Sequence, residues 1–318
     1  MQVRLPRWLA GICAVLWAAT ALAAAPLPRP ERGKLTVYFL DVGQGDAALI
    51  VGPTGKSILV DGGPPESAAA TVRRIRAVTS GPLDLIVLSH AHRDHLGGLP
   101  LILEEIGAAR FMDPGVDHST TAYRDLLRLL AARNVEYLES SAPADGSQLS
   151  FGIGGGARIE ILWPRQPVEP LLRGTASDVN ANSIAMRASF GSTSFLFTGD
   201  MSSETEAELL RGASPVASTV LKVAHHGSAD SSQPAFLSRV AARAAVISCG
   251  SHNEYGHPHP TTLRHLEDSG ARILRTDQIG DIRAVSDGAA VEIEAARSRF
   301  AIGRFRGAPD RTARIAPP

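Results

Sequence analysis

The chain predicts an α/β protein in which mixed sheets are covered by helices, and three observations carry that expectation. Short apolar runs of strand length alternate along its 318 residues with segments of helical period, Gly and Pro mark the joins, and His and Asp collect where apolar runs end. The early strands, 35–40, 47–51 and 57–60, follow one another at hairpin spacing, and a helix over 68–78 comes next. Further strands are expected at 83–88, 158–162, 184–190, 194–197, 220–223 and 244–247, with helices at 121–133, 204–211, 234–240 and 261–269. The last helix has Pro260 before it and Gly270 just after it, the usual asymmetry of helix ends.

With 44% hydrophobic residues and zero formal net charge, the chain can bury a large core, and its overall balance draws it to neither nucleic acid nor anionic membrane from a distance. A polyanionic substrate must be held by local groups. Residues 1–23 read as an export signal: Arg4 and Arg7, an apolar run over 8–22, and Ala21-Leu22-Ala23 ahead of Ala24. That run is shorter than the ~20 residues of a spanning helix. Cleavage is therefore expected, giving a periplasmic or secreted protein with no stable membrane insertion. Cleavage also removes Cys13 and leaves Cys249 without a disulfide partner. Residues 24–33 read as a linker and 34–296 as one catalytic domain. Residues 297–318, with Arg299, Arg304, Arg306, Arg311 and Arg314 against Asp310, read as a solvated tail.

The run Ser89-His90-Ala91-His92-Arg93-Asp94-His95 places three imidazoles and a carboxylate where a buried strand meets solvent. Alternate residues of an extended chain point the same way, so His90 and His92 can grip one ion while the following turn lets Asp94 and His95 face a second. Mixed nitrogen and oxygen donors are the usual set of catalytic zinc. Asp200 follows the apolar strand 194–197 and Thr198-Gly199, which suits a bridging ligand. His225-His226-Gly227-Ser228 also ends a strand; one histidine is expected on a metal and the other on substrate. Asp61, after Leu59-Val60, is expected to hydrogen-bond a ligand histidine or a loop. Asp41-Val42-Gly43-Gln44-Gly45-Asp46 lacks the features of a nucleotide loop and reads as a tight connection in which Gln44 and Asp46 tie down loops. The loop 249–260 presents Asn253, Tyr255, His257 and His259, stiffened by Pro258 and Pro260, either as substrate contacts or as groups that anchor the loop by hydrogen bonds.

Through His90-x-His92-x-Asp94-His95, Asp61 in Val-Asp-Gly-Gly, and Thr198-Gly199-Asp200, the chain resembles the metallo-β-lactamase superfamily. The stretches 40–46, 221–228 and 255–260 are similar, more narrowly, to the hydrolase domain of ComEC-type DNA-uptake channels. The resemblance implies an αββα sandwich, two divalent ions, Zn2+ or Mn2+, and hydrolysis of a phosphodiester, with single-stranded DNA as the expected substrate class. It implies one ion on His90, His92 and Asp200, the other on Asp94, His95, Asp200 and His226, and a bridging hydroxide as nucleophile. Asp94 thereby counts among the catalytic residues. His225 or the His257/His259 loop would protonate the leaving oxygen, Asn182, Ser228, Asn253 and Tyr255 would meet substrate, and Asp41, Asp46 and Asp61 would support the ligands. The segment 178–184 lacks the further histidine of many superfamily members, so Asn182 or water would complete the first site, which opens the way to manganese. Alternatives are a lactonase or β-lactamase-type carbonyl hydrolase and an exported binding protein without catalysis.

Overall fold

Alternation within the first strand explains the layering. In β1 (Leu35–Phe39) the side chains of Leu35, Val37 and Phe39 enter one apolar cluster, whereas Tyr38, with Leu40 beyond the strand, enters another. A strand buried on both faces belongs to an inner layer. The computed structural model describes residues 27–307 except 117, 141–146, 148, 166–169, 213 and 298–300, and the sheets it contains bear this out.

β1, β2 (Ala48–Val51) and β3 (Ser57–Val60) form an antiparallel meander, and β3, β4 (Leu85–Val87), β5 (Arg110–Asp113) and β6 (Glu136–Glu139) continue the sheet in parallel. The second sheet begins with β7 (Ser150–Gly154), β8 (Ala157–Trp163), β9 (Ala185–Phe190) and β10 (Thr193–Phe197), paired antiparallel. It goes on through β11 (Val220–Lys222), β12 (Ala244–Ile247) and β13 (Arg272–Arg275) in parallel. The chain then returns to the first sheet with β14 (Ile282–Ser286), β15 (Ala290–Ala295) and β16 (Gly303–Arg306), where β14 pairs with β1. Among the described residues the sheets therefore hold nine and seven strands.

One apolar cluster fills the space between the sheets, including Val37, Ile58, Ile159, Phe195 and Val246. A second lies between the nine-stranded sheet and the helices Ala68–Val78, Leu99–Glu105 and Thr121–Ala132. The third lies between the other sheet and the helices Ser203–Arg211, Pro234–Val240 and Pro260–Asp268. Three cores between four layers make the αββα sandwich.

Two boundaries differ from expectation. The segment expected to be a linker is docked where described, because Leu27 is buried, the Tyr38 hydroxyl donates to the Pro28 carbonyl at 2.6 Å, and Glu31 pairs with Arg283 at 3.1 Å. The expected tail contains β16, which extends the sheet antiparallel to β15, with Arg304 paired to Asp287 at 2.8 Å and Arg297 to Asp41 at 3.1 Å. A backbone that completes a sheet edge is not a solvated arm. Arg299, Arg311 and Arg314, and the export signal at 1–23, lie outside the described residues. Among those described, no helix is long and apolar enough to cross a membrane.

Candidate metal centre

Parallel strands deliver their following residues to one rim of the sandwich. Asp61 leaves β3, the His90–His95 turn leaves β4, Asp200 follows β10, His225 and His226 follow β11, and the loop with His257 follows β12. Two glycines let these segments close up. A Cβ on Gly45, at φ +137°, would stand 2.3 Å from the Asp94 carbonyl, and one on Gly199, at φ +48°, would stand 2.8 Å from Ser89 Cβ.

Asp94, His95, Asp200 and His226 present ligand atoms that all lie within 4.8 Å of one another. His95 Nε2 is 3.3 Å from Asp200 Oδ1, and His226 Nε2 is 3.2 Å from Asp94 Oδ2 and 3.6 Å from Asp200 Oδ2. His90 Nε2 lies 3.7 Å from Asp200 Oδ2 and 3.1 Å from His92 Nδ1, so Asp200, one of the four, also faces His90.

Further partners orient the rings. Asp61 accepts from the Ser89 backbone N–H at 2.7 Å and the Ser89 hydroxyl at 2.8 Å, and lies 2.9 Å from His95 Nδ1. His226 Nδ1 is 3.0 Å from the Ser248 carbonyl. An imidazole that donates Nδ1–H to such an oxygen keeps its Nε2 lone pair free. Buried and without a hydrogen-bond partner stand His95 Nε2, His226 Nε2 and Asp200 Oδ1. Orphaned polar atoms of this kind are costly in a folded interior, and three aimed at one point fit a cation.

The electrostatics agree. Burial opposes charge on His226, yet Asp200 and Asp46 push its pKa up to about 10. His95 is likewise raised well above its ordinary value, since Asp200 and Asp61 outweigh burial. Burial would lift the Asp200 carboxyl, but His95, His226 and His90 hold it well below the usual range. Burial, by contrast, lowers both His90 and His92, so it is around His95 and His226 that the pocket favours positive charge and hence a metal, with which those protons compete.

His225 and His226 both adopt positive φ, 48° and 53°, and this turn carries the two rings to one side. His225 directs Nε2 to within 3.8 Å of Asp200, while its Nδ1 is 3.2 Å from Asp230 Oδ1. Asp230 was not singled out from the sequence, although a short His-to-Asp spacing across a glycine turn could have drawn notice. His257 packs against His225 at a ring separation of 5.4 Å, and Tyr255 stacks on His257 at 5.6 Å with its side chain 71% exposed. Burial, His225 and His226 lower the pKa of His257 to about 4.

Other expected site residues have different partners. Asn182 is buried and saturated: its amide donates to the carbonyls of Leu172 at 2.9 Å and Asp178 at 2.7 Å, and its oxygen accepts from Leu172 N–H at 2.9 Å. It anchors a loop and has no lone group for metal or substrate. Asn180, two residues earlier, has Nδ2 3.5 Å from His225 Nε2 and a buried Oδ1 without a hydrogen-bond partner. Asn253 is spent on Gly250 O, His257 O and His257 N, which shapes the loop instead of meeting substrate. His259 is an exposed helix cap, accepting from Thr261 N–H at 3.2 Å, so the proton-donor role expected for it has no geometric support. Ser228 faces its neighbour Asp230, whose carboxylate it stabilises, and its carbonyl accepts from Thr262. Asp41 points to Arg297 instead of supporting the ligands. Asp46 does stand behind them, 3.4 Å from His226 Nδ1 and 2.7 Å from Lys222 Nζ, and Gln44 ties its loop to Gly250 N–H at 3.1 Å.

Comparison with known proteins gives the family. A model of the metallo-beta-lactamase superfamily matches residues 40–252. The chain is 28% identical over 264 residues to ComE operon protein 3 of Bacillus subtilis (strain 168), covering 78% of this chain and 32% of that protein. It is 29% identical over 268 residues to Recombination protein 2 of Haemophilus influenzae, covering 83% and 30% respectively. It thus spans about a third of the length of these relatives. The solved structure of Tm1679, a metal-dependent hydrolase of the beta-lactamase superfamily, superposes with a TM-score of 0.46 at 13% identity, covering 76% of this chain and 95% of that one. The chain belongs to the metallo-beta-lactamase superfamily of metal-dependent hydrolases and is similar over most of its length to ComEC-type competence proteins.

Proposed function

We propose that the protein is an exported phosphodiesterase that uses two divalent cations, zinc or manganese, and acts on single-stranded nucleic acid. The observation that carries the hydrolytic part is the convergence of His95 Nε2, His226 Nε2 and Asp200 Oδ1, buried and unpartnered, beside the half-buried Asp94. Asp94, His95, Asp200 and His226 would hold one cation, and His90, His92 and Asp200 the other. Divalent metal in such a site supplies a Lewis acid and lowers the pKa of water toward ~7.

The chain's own residues supply the rest. Asp61 and the Ser248 carbonyl fix the faces that His95 and His226 turn to the site. Asp230 steadies His225, whose Nε2 overlooks Asp200 and would hand a proton to the departing oxygen. Asn180 adds an unused carbonyl oxygen beside it. The exposed face of Tyr255, backed by His257, offers a stacking surface of the kind that holds a base without sequence preference. The names of two relatives, a competence protein and a recombination protein, favour a nucleic-acid phosphodiester over a carbonyl substrate.

Purified protein should turn over bis-p-nitrophenyl phosphate and single-stranded DNA with added Mn2+ or Zn2+, lose that activity to a chelator, and leave nitrocefin intact. Turnover of nitrocefin without phosphodiester cleavage, or binding of DNA without any turnover, would overturn the proposal.

A further inference from the structure

Resting on the hydrolytic reading, we propose that Glu206 is a positioning residue for the His225–Asp230 pair: its carboxylate, while ionised, holds the loop after Gly227 in place, and a proton on it releases that loop. The helix Ser203–Arg211 carries Glu206 inward, where it is 1% exposed. One carboxylate oxygen accepts from Ser232 N–H at 2.5 Å and the other from Gln233 N–H at 2.9 Å. Among the described residues no Lys or Arg pairs with it. A buried carboxylate without a cation is costly, and only its hydrogen bonds offset that cost.

The loop so held governs Asp230, two residues before Ser232. The Asp230 side chain is 48% exposed and lies 3.2 Å from His225 Nδ1, so its aim depends on where its backbone is fixed. The same helix reaches that backbone a second time, because Ser203 N–H donates to the Asp230 carbonyl at 2.9 Å. The Ser231 hydroxyl donates to the Ala224 carbonyl at 3.3 Å. Ser232 has φ +59°, a left-handed backbone that costs a residue with a side chain about 1–2 kcal/mol. Glu206 binds the N–H of that strained residue and of the next.

Two N–H donors require two acceptor oxygens. A protonated acid, or a glutamine, offers one good acceptor and turns a donor toward the second N–H. Burial raises the Glu206 pKa to about 7 against the two N–H groups, with a further push from Asp230. The other titratable group bordering the loop is His265 on the helix Pro260–Asp268, whose Nδ1 lies 3.1 Å from the Ser232 carbonyl. The carboxylate therefore grips the loop in mildly alkaline solution and lets go as the solution turns acid.

The test compares two leaving groups. p-Nitrophenolate departs from bis-p-nitrophenyl phosphate without a proton, whereas the alkoxide released from single-stranded DNA needs one, which His225 would supply. In E206Q, kcat on DNA at about pH 8 should fall at least ~10-fold and kcat on bis-p-nitrophenyl phosphate less than ~2-fold, with faster hydrogen exchange at the Ser232 and Gln233 amides. In the wild type the proton resonances of those two amides should titrate together with a midpoint of about 7. That titration decides the matter if E206Q does not fold. Equal losses on both substrates, no loss on either, or amide resonances that do not titrate together overturn the role of Glu206 and leave the hydrolytic reading standing. A wild type that cleaves neither substrate with Mn2+ or Zn2+ overturns both.

Discussion

Asp200→Asn is expected to reduce kcat/KM on bis-p-nitrophenyl phosphate by about three orders of magnitude, a loss of about 4 kcal/mol in transition-state stabilisation. The carboxylate lies within 3.3–3.8 Å of imidazole nitrogens from His90, His95, His225 and His226, so the amide deletes the one negative charge common to both proposed sites. The substitution preserves shape. Asp200 N–H still donates to Ser183 Oγ, and the Thr198-Gly199 approach from β10 is untouched. Far-ultraviolet circular dichroism should therefore match the wild type while activity and metal content fall. Activity within tenfold of wild type would remove Asp200 from the chemistry.

Lys222→Met should produce the largest loss of stability, about 3–5 kcal/mol. Lys222 is buried on β11 with its ammonium 2.7 Å from Asp46 and 2.9 Å from the Val223 carbonyl. Burial alone would raise the Asp46 carboxyl, but Lys222 and His226 lower it from 3.8 to about 2. A carboxyl depressed on folding contributes stability that is full above its unfolded value of 3.8 and is lost as pH falls toward about 2. Methionine leaves that carboxylate buried without its cation at neutral pH. The melting temperature should drop by on the order of 10 °C. The double variant K222M/D46L, apolar at both positions, should recover most of the loss. A drop below about 2 °C in the single variant would show that the pair carries little of the fold's stability.

The parts of the site legible in the sequence are those that end short apolar strands. β3, β4, β10, β11 and β12 each carry a short aliphatic or aromatic run, and Asp61, His90, Asp200 and His226 follow the first four within a few positions. The strands that escaped notice lack that signature. β6 is Glu-Tyr-Leu-Glu on a sheet edge, β7 is interrupted by Gly152 and Gly154, and β15 alternates Val291 and Ile293 with Glu292 and Glu294.

Choosing between Asn180 and Asn182 was beyond sequence reasoning, because one short helical turn over 178–181 decides which amide faces His225. Asp230 reaches His225 through a turn with positive φ at His225, His226 and Gly227, which leaves no periodic trace. For His259 the anchoring role had a signal in the sequence: Pro260 at the first helical position marks the preceding residue as a cap. Asp41 and Asp46 lie in one loop, but Gly43 and Gly45, both at positive φ, turn one toward Arg297 and the other toward Lys222.

The most direct test is anomalous X-ray scattering from crystals grown with Zn2+ or Mn2+ and measured at the edge of the added metal. Strong anomalous density among Asp94, His95, Asp200 and His226, with a neighbouring peak beside His90 and His92, is the predicted result. Difference maps without metal density there, at millimolar metal and neutral pH, would contradict it.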